Sequence, residues 1–139
     1  MSSTNDFNRI TPIVYGNKRP VEGEIVALLH IGFEDRGLKL IETKSRTVKL
    51  NEIHELMITD EDAKPGGEAN RVRAIGFFEI SKAGLIVLGD VARVENRLLG
   101  KLVGYDLTHM PNHINVVVRS ENLIEPRLRV GEKISFLTS

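Results

Sequence analysis

The sequence predicts a mainly β protein: a small β-barrel of about seven or eight short, mostly antiparallel strands with at most one short helix. Three observations predict it. From Val21 onward, short apolar runs alternate with clusters of Gly, Asp, Asn and Glu, the pattern of many strands joined by turns. Runs such as Ile25-Val26-Ala27-Leu28-Leu29 are apolar at every position, which suits strands covered on both faces, as in a closed barrel. An apolar-Gly-acid step also recurs, at Leu88-Gly89-Asp90 and Val130-Gly131-Glu132. Glycine permits a positive φ and the acid accepts a local backbone bond, so each copy predicts a turn feeding a strand.

Residues 1–20 mix Asn, Ser, Thr and Pro with a Lys18-Arg19 pair and are expected to form a poorly ordered or loosely docked arm. Residues 21–139 are expected to form one barrel domain, because a chain of 139 residues buries enough surface in one core to need no staple. The first strand is expected over 24–31; its shortness and the nearby Gly32 favour a strand over a buried helix. Strands over 37–42 and 46–50 follow. Asn51 suits the cap of a short helix over 52–58, with Glu52 and Glu55 near the positive end of its dipole, although the same residues also suit a strand. Residues 59–70 contain Asp60-Glu61-Asp62 and Pro65-Gly66-Gly67 and read as a solvated connector, with a lid or binding loop as the alternative. The remaining strands are expected over 71–80, 85–94, 98–105, 114–119 and 133–137.

Composition excludes several function classes. There is no cysteine, hence no disulfide, thiolate zinc site, iron–sulfur cluster or cysteine nucleophile, and the chain suits a reducing cytoplasm. The N-terminus has neither the basic start nor the apolar core of a signal peptide, and the apolar run over 25–33 is too short to span a bilayer, so a soluble cytoplasmic protein without a membrane partner is expected. Basic and acidic residues balance at 19 each. That argues against nucleic-acid binding through bulk charge and leaves little repulsion to oppose a homo-oligomer. Gly-rich nucleotide cradles and the Gly-x-Ser-x-Gly elbow are absent. Phe77 and Phe78 read as core rather than a stacking platform for bases, the scattered arginines as a solvated face, and His30 as a core or rim residue.

Chemistry concentrates in one segment, from Gly104 to Asn115. It holds Tyr105, Asp106, Thr108, His109, Asn112, His113 and Asn115, and two of the four histidines. These seven residues are the candidate ligand-binding set. Pro111 lies between the histidines, which removes the helix that would place i and i+4 on one face. It also excludes a two-residue hairpin, which needs positive φ at its first central position. The residue before it is disfavoured in the α region, which counts against the usual three-residue loop. Pro111-Asn112 instead suits the centre of an ordinary β-turn, so the link is wider than a minimal hairpin and polar side chains can turn inward. His109, His113 and Asp106 are the candidate metal ligands for zinc or ferrous iron. Asp106 alternatively orients an imidazole by a hydrogen bond, with His30 or His54 completing the set. Whether the two histidines share a side depends on register. A non-metal small-molecule site, with a histidine as acid or base, is the second reading. A non-catalytic interaction or structural module is the third, with Asp106, Thr108, Asn112 and Asn115 bonding the loop backbone.

The run Gly-Tyr-Asp-x-Thr-His-Met-Pro-Asn-His-x-Asn, with Leu99-Gly100 upstream, resembles a signature of small bacterial proteins of unknown function. The resemblance spans residues 85–118 and implies no activity, substrate or cofactor. The apolar-Gly-acid turns resemble strand entries in small barrels such as the second domain of translation elongation factors, a likeness of architecture alone.

Overall fold

The computed structural model describes residues 17–123 and 126–139. The arm expected over 1–20 lies outside the described residues except for its last four. There Lys18 pairs with buried Asp90 at 2.8 Å, and the Arg19 Nε donates to the Ala83 carbonyl at 2.9 Å.

In chain order the strands are β1 (Val21–Phe33), β2 (Leu38–Lys39), β3 (Ser45–Val48), β4 (Ile53–Thr59), β5 (Glu68–Ala69), β6 (Val72–Lys82), β7 (Gly84–Val87), β8 (Val91–Val94), β9 (Arg97–Asp106), β10 (Asn115–Arg119) and β11 (Lys133–Leu137). Seven of them close a barrel in the order β1-β11-β8-β9-β10-β4-β6, while β2-β5 and β3-β7 form separate two-stranded pairs. Every neighbouring pair in the barrel is antiparallel except β10 with β4, which runs parallel with Asn115 opposite Glu55. The mostly antiparallel, strand-rich fold is the one the alternation predicts.

The apolar runs of β4 and β10 are continuous because these strands have two dry faces, whereas the run over 25–29 in β1 is not covered on both: Ala27 is exposed and Val26, Leu28 and Leu29 are only half-buried. Leu56, Ile58, Phe78, Leu102, Tyr105, Val116, Val118, Ile134 and Phe136 belong to the cluster that fills the barrel. The intervening Met57 and Val117, with Val72 and Ala74, form a second cluster on the outer face with Leu38, Leu40 and Ala69. The residues expected to form a solvated connector over 59–70 therefore include part of this cover. Leu40 exchanges backbone bonds with Gly66 and Gly67, and β5 pairs with β2. The strand expected over 37–42 shrinks to β2.

The helix expected over 52–58 is strand β4, and the turn before it explains why. Glu52 donates its N–H to the Lys49 carbonyl at 3.2 Å, its carboxylate accepts the Lys49 N–H at 2.7 Å, and Asn51 has φ 70°. The same geometry occurs at both glycine turns. Gly89 and Gly131 have φ 96° and 97°, and the following acid bonds back to Val87 or Arg129 through both its N–H and its carboxylate. Leu50-Asn51-Glu52 is thus a third copy of the apolar-Gly-acid turn, with asparagine in the glycine's place. Asparagine tolerates the left-handed region, so the residue read as a helix cap starts a strand. Gly89 likewise divides the single strand expected over 85–94 into β7 and β8.

Candidate metal centre

The loop between β9 and β10 carries the histidines, and its frame is built first by Asp106. This residue is 2% exposed. Its carboxylate accepts the Lys39 N–H at 3.1 Å, the Thr108 N–H at 2.9 Å and the Asn115 Nδ2–H at 3.3 Å. Asp106 and Asn115 are opposite each other in the β9-β10 register, so this network closes the loop where the strands part. Two turns follow. The Met110 N–H donates to the Leu107 carbonyl and the Asn112 N–H to the His109 carbonyl, at 3.1 and 3.0 Å. The second turn is centred on Met110-Pro111, joined by a cis peptide bond, one residue earlier than the Pro111-Asn112 centre expected from the sequence.

These turns bring the imidazoles of His109 and His113 into a stack, with ring centres 4.9 Å apart and planes 29° apart. The parallel partner strand supplies a carboxylate. Leu56 lies in the barrel interior, so Glu55 beside it faces outward, and the Glu55 N–H donates to the Ile114 carbonyl at 3.0 Å. Its Oε1 lies 3.3 Å from the His113 Nε2. One ligand atom each from Glu55, His109 and His113 lie within 4.8 Å of one another. Phe77, opposite Glu55 on β6, sets its ring edge-to-face against His113 at 5.3 Å. One side of the cluster is therefore apolar, and His109 on the other side is exposed.

His54 stands on the opposite face of β4 and is 6% exposed. Its Nδ1 accepts the Ile114 N–H at 3.2 Å and its Nε2 lies 3.2 Å from the Glu52 Oε1. An acceptor at Nδ1 requires the proton on Nε2, so the ring is held as the neutral tautomer that donates to Glu52. Burial pushes its pKa down, and outweighs the Glu52 carboxylate that pulls it up. With both nitrogens engaged, His54 serves the fold. Tyr105 does the same: it is fully buried in the barrel, and its hydroxyl reaches the Lys44 carbonyl, just before β3, at 3.3 Å and the Ile86 carbonyl on β7 at 3.2 Å.

The seven residues singled out from the sequence thus divide. His109 and His113 come together. Asp106, Tyr105, Asn115 and the Thr108 backbone form the frame, and Asn112 lines a cleft of about 230 Å³ beside the loop, whose walls also include Arg46, Glu52, His54 and His113. The carboxylate beside the histidines is Glu55, 54 positions before His109 in the chain, and neither His30 nor His54 joins the cluster. No spacing in the sequence points to Glu55, because only the parallel β10-β4 pairing places it there. In the sequence Glu52 reads only as an acid at a helix start and Arg46 only as the first residue of a strand; the turn before β4 and the separate β3-β7 pair bring them to the cleft.

The fold and site together define a closed seven-stranded barrel with a two-histidine, one-carboxylate cluster on its outer face. The chain belongs to a family of unknown function (DUF6917), whose model matches residues 15–137. No curated protein and no solved structure matches the chain. No helix among the described residues is long and apolar enough to cross a membrane.

Proposed function

We propose that the protein binds a divalent transition metal, zinc or ferrous iron, through Glu55, His109 and His113. The observation that carries this reading is the convergence of three ligand atoms within 4.8 Å from two segments distant in the chain. A tetrahedral ion with bonds of about 2.1 Å holds its ligands about 3.4 Å apart, a closure that rotation of the exposed His109 side chain can supply. Two imidazoles and a carboxylate are the donor set of open catalytic zinc sites and of non-haem iron sites. Three protein ligands leave a position for a small molecule, so the site is of the ligand-accepting kind rather than a closed structural one. The reading is of one barrel domain over 21–139, and the lack of cysteine supports a reducing compartment such as the cytoplasm.

Elemental analysis of untagged protein, followed by zinc and ferrous titrations, tests the proposal. One metal per chain is expected, lost in His109→Ala, His113→Ala and Glu55→Gln and kept in Asp106→Ala. Absence of stoichiometric metal, or its retention in all three ligand variants, refutes it. A non-catalytic module is the second reading, favoured by the Asp106 network, which uses much of the polar segment to hold its own backbone.

A further inference from the structure

Arg46 is the unspent cation of the barrel mouth. It lies on β3 two residues before Val48, and alternation puts both on one face; Val48 is buried in the barrel cluster. The Arg46 Nε is buried and has no hydrogen-bond partner, and among the described residues its guanidinium has no ion-pair partner. Other arginines do have acceptors: Arg71 has Asp60, Arg97 has Glu132 and Arg119 has Asp62. A buried donor without an acceptor costs stability, and such groups in native folds call for an explanation.

The surrounding cleft supplies one. Arg46 lines it together with Thr47, Asn112 and His113, and no other Lys or Arg does. The acid in the wall, Glu52, has its Oε1 taken by the Lys49 N–H and by His54, and both His54 nitrogens are taken as well. A guanidinium presents a planar fork that fits a carboxylate through two parallel hydrogen bonds. A single such charge, with an acid already in the wall, balances a monoanionic group better than a doubly charged phosphate. At about 230 Å³, the space equals roughly eight water volumes of about 30 Å³ each, room for a small organic acid.

We propose that this cleft binds a small organic carboxylate, with its carboxylate group on the Arg46 guanidinium. His113 borders both the cleft and the metal cluster, but Arg46 belongs only to the cleft, so this site and the metal site stand or fall separately.

The test follows the arginine Nε–H signals of full-length, EDTA-treated protein by nuclear magnetic resonance during titration with propionate, butyrate and inorganic phosphate. Arg46→Met assigns the Arg46 signal. The expected result is a saturable shift of that signal with propionate or butyrate. Measured by titration calorimetry, because neither variant carries an Arg46 Nε–H, affinity should fall at least about tenfold in Arg46→Lys, which keeps the charge but not the fork, and binding should vanish in Arg46→Met. Saturation by phosphate alone, no saturable shift with either carboxylate, or unchanged affinity in Arg46→Lys overturns the proposal. If Arg46→Met does not fold, the Arg46→Lys comparison decides. Because the metal is stripped throughout, loss of the metal reading leaves this outcome untouched.

Discussion

Replacing Asp106 by alanine separates the frame of the loop from its metal cluster. The carboxylate accepts three hydrogen bonds at 2% exposure. Its loss is felt most at Asn115, which is 1% exposed and whose Oδ1 already has no partner; the Nδ2 then loses its acceptor too. A buried donor left unsatisfied costs about 1–3 kcal/mol, and the two backbone bonds from Lys39 and Thr108, which water can partly replace, about 1 kcal/mol each. The sum is about 3–5 kcal/mol, which in a chain of this size lowers Tm by about 10–15 °C. His109 is exposed, so His109→Ala should stay within about 0.5 kcal/mol of the parent. Urea unfolding of both variants, with zinc binding measured on the same samples at a denaturant-free concentration, reads both quantities. Asp106→Ala should be unstable but metal-competent, and His109→Ala stable but metal-free. The reasoning fails if Asp106→Ala unfolds within about 0.5 kcal/mol of the parent, or if His109→Ala costs as much as Asp106→Ala, because then the histidine is part of the frame.

Three further outcomes are expected. Zinc at about a hundred times its Kd should stabilise the protein by about 2.7 kcal/mol, and Glu55→Gln should abolish the gain in a thermal melt. His54 has its pKa lowered by burial from an ordinary value of 6.5. The unfolded chain therefore takes up the proton first as pH falls: the stability His54 contributes is complete above about 6.5 and is lost as pH drops from there toward the lower folded value. Melts at pH 7.5 and 5.5 should show a smaller acid loss in His54→Asn, whose amide still accepts from Ile114, than in the parent. Tyr105→Phe removes a buried hydroxyl that meets the Lys44 and Ile86 carbonyls and should cost about 1–2 kcal/mol by urea unfolding without changing metal content.

Local chemistry made the turns legible and tertiary pairing made the site. Gly89 and Gly131 could be read as strand-feeding turns because their φ values, 96° and 97°, are ones glycine adopts without steric cost. Asn51 makes the same turn, yet asparagine is also a good helix cap, so the local signal pointed two ways. The strand won because Leu56 and Ile58 reach the barrel interior while Met57 reaches the outer cluster, a period of two that no helix satisfies. The histidine segment was visible as a concentration of polar groups, and Pro111 correctly excluded a helix through it. Asp106 had the right chemistry for a ligand, but its oxygens meet three N–H donors instead.

By itself the sequence determined a strand-rich chain with glycine-and-acid turns and one polar loop bearing His109 and His113, because alternation, turn chemistry and proline geometry all act over a few residues. The tertiary structure alone decided which carboxylate stands beside those histidines and which arginine faces the cleft. Glu55 meets His113 across a parallel β4-β10 pair, and Arg46 reaches the barrel mouth from a separate two-stranded pair. Closure of a barrel sets such neighbours through the order of its strands, a property of the whole ring that no short window of residues encodes.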